Sequence, residues 1–144
     1  MSLHLPAQLV YRDLALRTVS AACKLVGRHR SPTERATFRN QVVSAFSEAF
    51  NNIVLHAYAG APAGRLRVRV VTGADDIRIV LTDRGRPFDL QDVPTPDLAR
   101  LPEQGMGLFI IRSFMDEVSY SPGPPNVLVL TKSFGKTSGP VPSP

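Results

Sequence analysis

At 144 residues, the chain has enough length for one domain and too little for two independent cores. Its 43% hydrophobic and 20% charged residues exclude disorder over most of the length, and no apolar run approaches the roughly 20 residues that span a bilayer. The net charge of +5, from 17 Lys and Arg against 12 Asp and Glu, favours acidic partners such as nucleic acid, phosphorylated ligands or acidic proteins.

The first predicted element is a helix from Leu9 to Val26, with Gly27 as its stop. Met1–Arg12 lacks the continuous apolar run of a secretion signal. The single cysteine, Cys23, cannot form an internal disulfide and lies in an apolar stretch. We therefore expect a cytoplasmic protein in which Cys23 is a packed small hydrophobic residue rather than a nucleophile.

A second, longer helix is predicted from Ser31 to about Tyr58. Ser31-Pro32-Thr33-Glu34 has the pattern of a helix start, with a capping hydroxyl, a proline in the first turn and a glutamate three residues after the serine. Helical spacing then places five apolar residues on one stripe, which must face a sheet or another helix: Phe38, Val42, Ala45, Ala49 and Ile53.

The next elements are strands. Arg65–Val71 and Ile77–Leu81 alternate strictly between apolar and polar residues, and a turn-like segment, 72–76, separates them. A short helix from Leu108 to Glu117 and two further strands follow, Val118–Ser121 and Val127–Thr131. The pattern predicts an α/β (α+β) two-layer sandwich, with a mixed, mostly antiparallel sheet, helices on one face and the other face open.

The long helix carries the first candidate site. Glu48, Asn52 and His56 are each four residues apart, so they lie one turn above another. Glu48 and Asn52 fall at the border of the apolar stripe, and His56 falls within it. A carboxylate and a carboxamide suit a hard cation, and the carboxylate could also act as a general base. The structural alternative makes Glu48 and Asn52 a hydrogen-bonding pair, and His56 a residue that bonds a backbone group from the edge of the core.

Two glycine motifs form the other candidates. Asp83 and Gly85 follow the second alternating strand, where the carboxylate can accept a hydrogen bond from an exocyclic amine and the glycine lets a flat ring approach the backbone. Gly105-Met106-Gly107-Leu108 opens the last helix, where free N–H groups and the helix dipole favour a phosphate. Each motif alone also fits an ordinary turn.

Together and in this order, the three motifs resemble the N, G1 and G2 boxes of the GHKL (histidine-kinase-like) ATPase superfamily, and within it the anti-sigma-factor serine/threonine kinases of bacterial regulatory switches. The resemblance covers roughly Leu5 to Ser133 and extends to Phe114-Met115-Asp116-Glu117-Val118. It implies a Bergerat-type ATP-binding fold over residues 1–134. The Gly/Ser/Pro-rich residues 135–144 are expected to form a disordered tail.

The resemblance also implies roles for single residues. Glu48 would be the catalytic general base, and Asn52 would bind Mg²⁺ that bridges the phosphates of ATP. Asp83 would accept the adenine amine, and Asp89–Gln104 would be a lid. The remaining nucleotide-binding residues would be Gly85, Phe88, Gly105, Met106, Gly107 and Leu108.

Two departures from the family pattern bear on catalysis. Pro124-Pro125-Asn126-Val127 stands where a hydroxyl residue often enters the last strand, so that either Asn126 substitutes for it or the contact is lost. Glu103-Gln104 stands where some relatives have an arginine suited to the terminal phosphate. Nucleotide binding is therefore better supported than fast phosphoryl transfer.

The function implied by this resemblance is that of an ATP-binding anti-sigma factor and protein-serine kinase. It would sequester a sigma factor, phosphorylate an anti-anti-sigma (STAS-type) protein and form a homodimer. The alternative is a catalytically weak ATP-binding module that sequesters a protein without phosphoryl transfer. Direct nucleic-acid binding is disfavoured, because no aromatic residues for base stacking interleave with the arginines of one predicted sheet face: Arg65, Arg67, Arg69 and Arg78.

Overall fold

The computed structural model describes residues 1–58, 64–87 and 106–135. Within these ranges the chain forms three α-helices, α1 to α3: Arg12–Cys23, Pro32–Asn52 and Met106–Phe114. It also forms five strands, β1 to β5: Ser2–Pro6, Arg65–Thr72, Asp76–Asp83, Glu117–Ser121 and Asn126–Ser133. None of the helices in these ranges is long and apolar enough to cross a membrane.

The strands form one sheet in the order β1-β2-β3-β5-β4, and all the neighbouring pairs are antiparallel. Side chains alternate between the two faces, so that Leu66 and Val68 are buried whereas Arg67 and Arg69 are exposed. The helices supply the rest of the core that covers the buried face. The predicted two-layer sandwich is confirmed, and within residues 1–58, 64–87 and 106–135 the second face of the sheet carries exposed side chains such as Arg67 and Arg69.

Strand β1 was not predicted. It is a short edge strand that pairs Leu5 with Leu66, and it ends at Pro6. A five-residue segment with two apolar side chains and a proline gives too weak a period-two signal to identify a strand. The hydrogen bonds that make it a strand are supplied by β2, which is distant in the sequence.

Helix α1 is shorter than the helix predicted from Leu9 to Val26. Leu9–Tyr11 forms a 3₁₀ turn, and the α-helix runs only from Arg12 to Cys23. The predicted end at Val26, with Gly27 as the stop, is therefore three residues too late. Gly27 instead ends the turns that follow the helix, where it has a φ of 63° and donates a hydrogen bond to the Ala74 carbonyl at 2.8 Å. A side chain at this position would also overlap the ring of Phe134.

Helix α2 begins as its sequence predicts. The Ser31 hydroxyl accepts a hydrogen bond from the Glu34 N–H at 3.1 Å, and Pro32 occupies the first helical position. The whole predicted apolar stripe is buried, together with Phe46 and Phe50. The buried face is wider than the stripe because α2 packs against both α1 and α3.

The last turn of the long helix is π-helical, from Ile53 to Ala57. A π turn contains more residues than an α turn, so the side chains after Asn52 rotate away from the positions that 100° per residue predicts. Ala57 is buried, whereas His56 points to solvent. The expectation that His56 lies at the edge of the core is therefore wrong.

Candidate functional site

Helix α3 begins directly against the polar residues of α2. A β-carbon built on Gly107 would lie 2.9 Å from the Glu48 Oε2 and 3.6 Å from the Oδ1 and Nδ2 atoms of Asn52. A side chain at position 107 would therefore have to displace the carboxylate end of Glu48. The glycine allows the start of one helix to lie beside a carboxylate and a carboxamide of another.

Glu48 and Asn52 present polar atoms that the described part of the protein leaves unused. Both side chains are half-buried. Neither makes a hydrogen bond to another described residue, so the structural alternative of a hydrogen-bonded Glu48–Asn52 pair is not seen. The carboxylate and the amide oxygen remain available as a proton acceptor and as a ligand for a hard cation.

Helix α3 is also held at its opposite end. The Lys132 ammonium donates a hydrogen bond to the Phe114 carbonyl at 2.6 Å, and the Asp116 Oδ2 accepts one from the Ser133 N–H at 2.7 Å. Burial lowers the pKa of Lys132, and the nearby Asp116 carboxylate opposes this shift. These contacts between β5 and the end of α3 fix the direction in which its first turn points.

Asp83 ends β3 on the buried face of the sheet, with a relative exposure of 3%. Its Oδ1 accepts hydrogen bonds from the Gly85 N–H at 2.9 Å and from the Asn126 Nδ2 at 3.0 Å. Its Oδ2 accepts none from the described residues, which leaves an acceptor for an amine.

Asn126 lies opposite Asp83 in the pairing of β3 with β5 and is 1% exposed. Besides its bond to Asp83, its Nδ2 donates to the Gly85 carbonyl at 2.8 Å, and its Oδ1 accepts from the Gly123 N–H at 2.9 Å. The residue that departs from the family pattern thus contacts the predicted adenine-binding carboxylate. It also ties the β4–β5 turn to the loop after β3.

The loop after β3 lies against the end of the long helix. A β-carbon on Gly85 would collide with the Ala57 carbonyl group, which accepts a hydrogen bond from the Arg86 N–H. The Tyr58 hydroxyl accepts a hydrogen bond from the Arg84 N–H at 3.0 Å and donates one to the Arg65 carbonyl at 2.9 Å. Because Gly85 has no side chain, the loop after β3 can approach the backbone of Ala57 this closely.

The long helix therefore connects the two groups of candidate residues. Glu48 and Asn52 lie beside Gly107, and five residues after Asn52 the helix reaches Ala57, which lies against Gly85. Five residues would rise about 7.5 Å in an α-helix, and these five form the π turn, so the separation along the axis is no more than about 8 Å. Phosphate-binding and base-binding functions assigned to these two groups would thus lie at neighbouring positions along one helix.

The other predicted site residues are less fully described. Phe88, Gly105 and the predicted lid, Asp89–Gln104, lie outside the described residues, as do residues 136–144 of the predicted tail. Met106 is the first residue of α3, and Leu108 packs partly buried against the core. The motifs in the sequence assign no role to Tyr58, although a tyrosine directly after an amphipathic helix can supply a partly buried ring with a hydrogen-bonding hydroxyl.

The chain folds as an antiparallel sheet covered by helices, with Gly107 of α3 beside Glu48 and Asn52 of α2 and Gly85 beside the end of the same long helix. These are features of a GHKL-type ATPase domain. The comparison with family models agrees. Residues 8–132 match the histidine kinase-like ATPase domain, and the chain belongs to that family.

Similar proteins place the chain within the family. It is 30% identical over 126 residues to the serine-protein kinase RsbW of Oceanobacillus iheyensis, covering 82% of this chain and 76% of that protein. It is 30% identical over 101 residues to the anti-sigma F factor of Bacillus cytotoxicus, covering 67% and 64%. The predicted resemblance to the anti-sigma-factor kinase branch is confirmed.

The fold is also similar to a solved structure, the histidine kinase domain of the blue-light activated histidine kinase from Erythrobacter litoralis EL346. The TM-score is 0.52 and the sequence identity 14%, and the match covers 90% of this chain and 61% of that one. At this identity the similarity concerns the fold alone.

Proposed function

We propose that the protein is an ATP-dependent protein-serine kinase that also acts as an anti-sigma factor. In this role it sequesters a sigma factor and phosphorylates an anti-anti-sigma protein of the STAS type. The main structural support is the contact of Gly107 with Glu48 and Asn52, because it puts a proton acceptor and a cation ligand beside the N-terminus of a helix. The names of the kinase and anti-sigma relatives support the same function.

The described residues fit a nucleotide with a magnesium ion. The Oδ2 of Asp83 can accept the exocyclic amine of adenine, and the missing side chain of Gly85 leaves room for a flat ring. The amide oxygen of Asn52 suits Mg²⁺, and the N–H groups at the start of α3 suit phosphate oxygens. Bound ATP and Mg²⁺ would supply the transferable phosphoryl group and neutralise its charge.

Glu48 supplies the proton acceptor of the proposed reaction. Its carboxylate takes the proton of the partner's serine hydroxyl as the serine oxygen forms its bond to the γ-phosphorus and the bond from that phosphorus to ADP breaks. Asn52, through Mg²⁺, and the N–H groups at the start of α3 would hold the phosphates beside this carboxylate. The contribution of the protein is thus positioning together with one proton transfer.

The test uses a matched pair of variants on α2. The protein is incubated with Mg-ATP and STAS-type proteins encoded near it, and phosphoserine is measured on the partner. Glu48→Gln should lower the phosphorylation rate at least about 100-fold, because general-base catalysis typically contributes 10²–10⁴-fold. Glu34→Gln removes an exposed carboxylate from the same helix and should leave the rate unchanged.

Nucleotide binding separates this proposal from its alternative, an ATP-binding module without phosphoryl transfer. A kinase with Glu48→Gln keeps its affinity for a fluorescent ATP analogue while phosphoserine disappears. If the unmodified protein binds ATP and a sigma factor but phosphorylates none of the partners, the module is the correct description. Equal phosphorylation by Glu48→Gln and the unmodified protein would remove Glu48 from the catalytic role.

A further inference from the structure

A concave surface lies away from the proposed nucleotide site. It is a cavity of about 390 Å³ where the end of α1 meets the first turns of α2, lined by Cys23, Lys24, Pro32, Arg35, Ala36 and Arg39. Arg39 precedes Glu48 by nine residues, which is about 13 Å along a helix. The volume lies in the range of small-molecule pockets, roughly 300–1,000 Å³.

The charged residues that line this cavity are all basic. Lys24, Arg35 and Arg39 line it, and no carboxylate does. Arg35 and Arg39 are four residues apart on α2, a spacing at which like charges repel and destabilise a helix. An anion that binds between the two guanidinium groups would reduce this repulsion.

One of the three cations is fixed in place. The Arg35 Nη2 donates a hydrogen bond to the Lys24 carbonyl at 2.8 Å, so the guanidinium is held across the junction of the two helices. A cation that is already ordered loses less side-chain entropy when it binds a ligand. The Arg35 guanidinium is therefore preorganised to bind an anion.

The described contacts provide little counter-charge for the cluster. Glu34, the neighbouring acid, lies 4.0 Å from Arg30 and lines a different surface depression. Among the described residues, no ion pair joins a carboxylate to Lys24, Arg35 or Arg39. The Arg39 charge also acts on Cys23, another residue that lines the cavity. Burial raises the pKa of the Cys23 thiol, and the positive charge of Arg39 opposes that rise because it favours the thiolate.

We propose that this basic cavity binds a phosphate group, either as free phosphate or as a phosphoserine side chain. Guanidinium groups match the oxygen atoms of a phosphate with paired, charge-assisted hydrogen bonds, and an ammonium group adds a point charge. The cavity has room for a phosphate with a short organic substituent. This site is separate from the nucleotide site and does not depend on the kinase function proposed above.

The experiment is a ¹H–¹⁵N NMR titration of the full chain without nucleotide. The probes are inorganic phosphate and N-acetyl-phosphoserine amide, with N-acetyl-serine amide and sodium chloride of equal ionic strength as controls. Saturable shifts confined to residues 23–24 and 32–39 support the site, and their position separates it from phosphate bound near residues 106–108. Stronger binding of phosphoserine indicates a phosphoprotein ligand, whereas equal binding indicates the free ion.

Matched arginine variants complete the test. Arg39→Gln should weaken phosphate binding about tenfold, as the loss of a charge-assisted hydrogen bond predicts. Arg28→Gln removes the same charge from an exposed residue outside the cavity lining and should bind as the unmodified protein does. Shifts that do not saturate, that sodium chloride reproduces, or that both variants weaken equally would overturn the proposal. If Arg39→Gln fails to fold, Lys24→Gln serves in its place.

Discussion

A single asparagine organises the polar end of the sheet. Asn126 makes hydrogen bonds with the Asp83 carboxylate, the Gly85 carbonyl and the Gly123 N–H while it is almost fully buried. Buried polar groups are expensive when they lose a partner, so these three bonds hold one another in place. The geometry of Asp83 depends on a residue 43 positions further along the chain.

We expect Asn126→Leu to destabilise the protein by about 2–4 kcal/mol, since the buried Asp83 carboxylate and the half-buried Gly85 carbonyl each lose a hydrogen-bond partner. Urea denaturation measures the change. Asn40→Leu replaces an exposed asparagine on α2 and should change the stability by less than about 0.5 kcal/mol. Equal effects of the two variants would show that the Asn126 hydrogen bonds contribute no stability.

The buried cysteine makes stability depend on pH in the alkaline range. Burial raises the pKa of Cys23 from 9.0 to about 12, while the Arg39 charge acts in the opposite direction. Because the folded state holds the proton more tightly, the thiol's contribution is complete below pH 9 and is lost as the pH rises towards 12. The free energy of unfolding should therefore fall more steeply between these values than in Cys23→Ala. Parallel curves would contradict the shift.

At the scale of secondary structure, the sequence patterns correctly predicted the features that depend on residues close together in the chain. The Ser31–Glu34 cap and the buried stripe on α2 were both correct because a cap and a helical period lie within a few residues. The π turn at Ile53–Ala57 and the edge strand β1 were missed. Both depend on contacts with distant parts of the chain, which no local period contains.

In the candidate site, too, the local features could be predicted from the sequence and the long-range contacts could not. Regular spacing identified Glu48 and Asn52 on one helix, and the glycines marked the two loops. What the sequence left open was whether Asn126 takes part, because only the pairing of β3 with β5 places it opposite Asp83. The contact of Gly85 with Ala57 was also not predictable, since it joins a loop to a helix end 28 residues earlier in the chain.

The contact of the loop after β3 with the long helix gives a prediction for Gly85→Ala. The added methyl group would lie 2.6 Å from the Ala57 carbonyl carbon, so either the loop or the helix end must move. We expect a fall in nucleotide affinity of at least about tenfold, measured with a fluorescent ATP analogue, because Asp83 moves with the loop.

Gly73→Ala is the control for this prediction. A methyl group there meets only the end of the flexible Asp76 side chain, which can rotate away. Its nucleotide affinity should equal that of the unmodified protein. A Gly85→Ala protein that binds nucleotide normally would show that the loop after β3 does not position the base.

At the scale of the whole molecule, the proposed nucleotide site joins three elements that are separated along the sequence. Residues on α2, the end of β3 and the start of α3 would contact one ligand. A ligand that binds only when these elements are in place stabilises the whole domain by mass action. Its effect on unfolding therefore reports whether the elements act as one site.

We expect Mg-ATP at 100 times its dissociation constant to raise the free energy of unfolding by about 2.7 kcal/mol, measured by urea denaturation. Asp83→Asn should keep its stability without nucleotide, because its amide oxygen still accepts from the Gly85 N–H and the Asn126 Nδ2. The same ATP concentration should stabilise this variant far less, since an amide NH₂ now faces the adenine amine. Equal stabilisation of both proteins, or of the unmodified protein by GTP, would show that Asp83 does not recognise adenine.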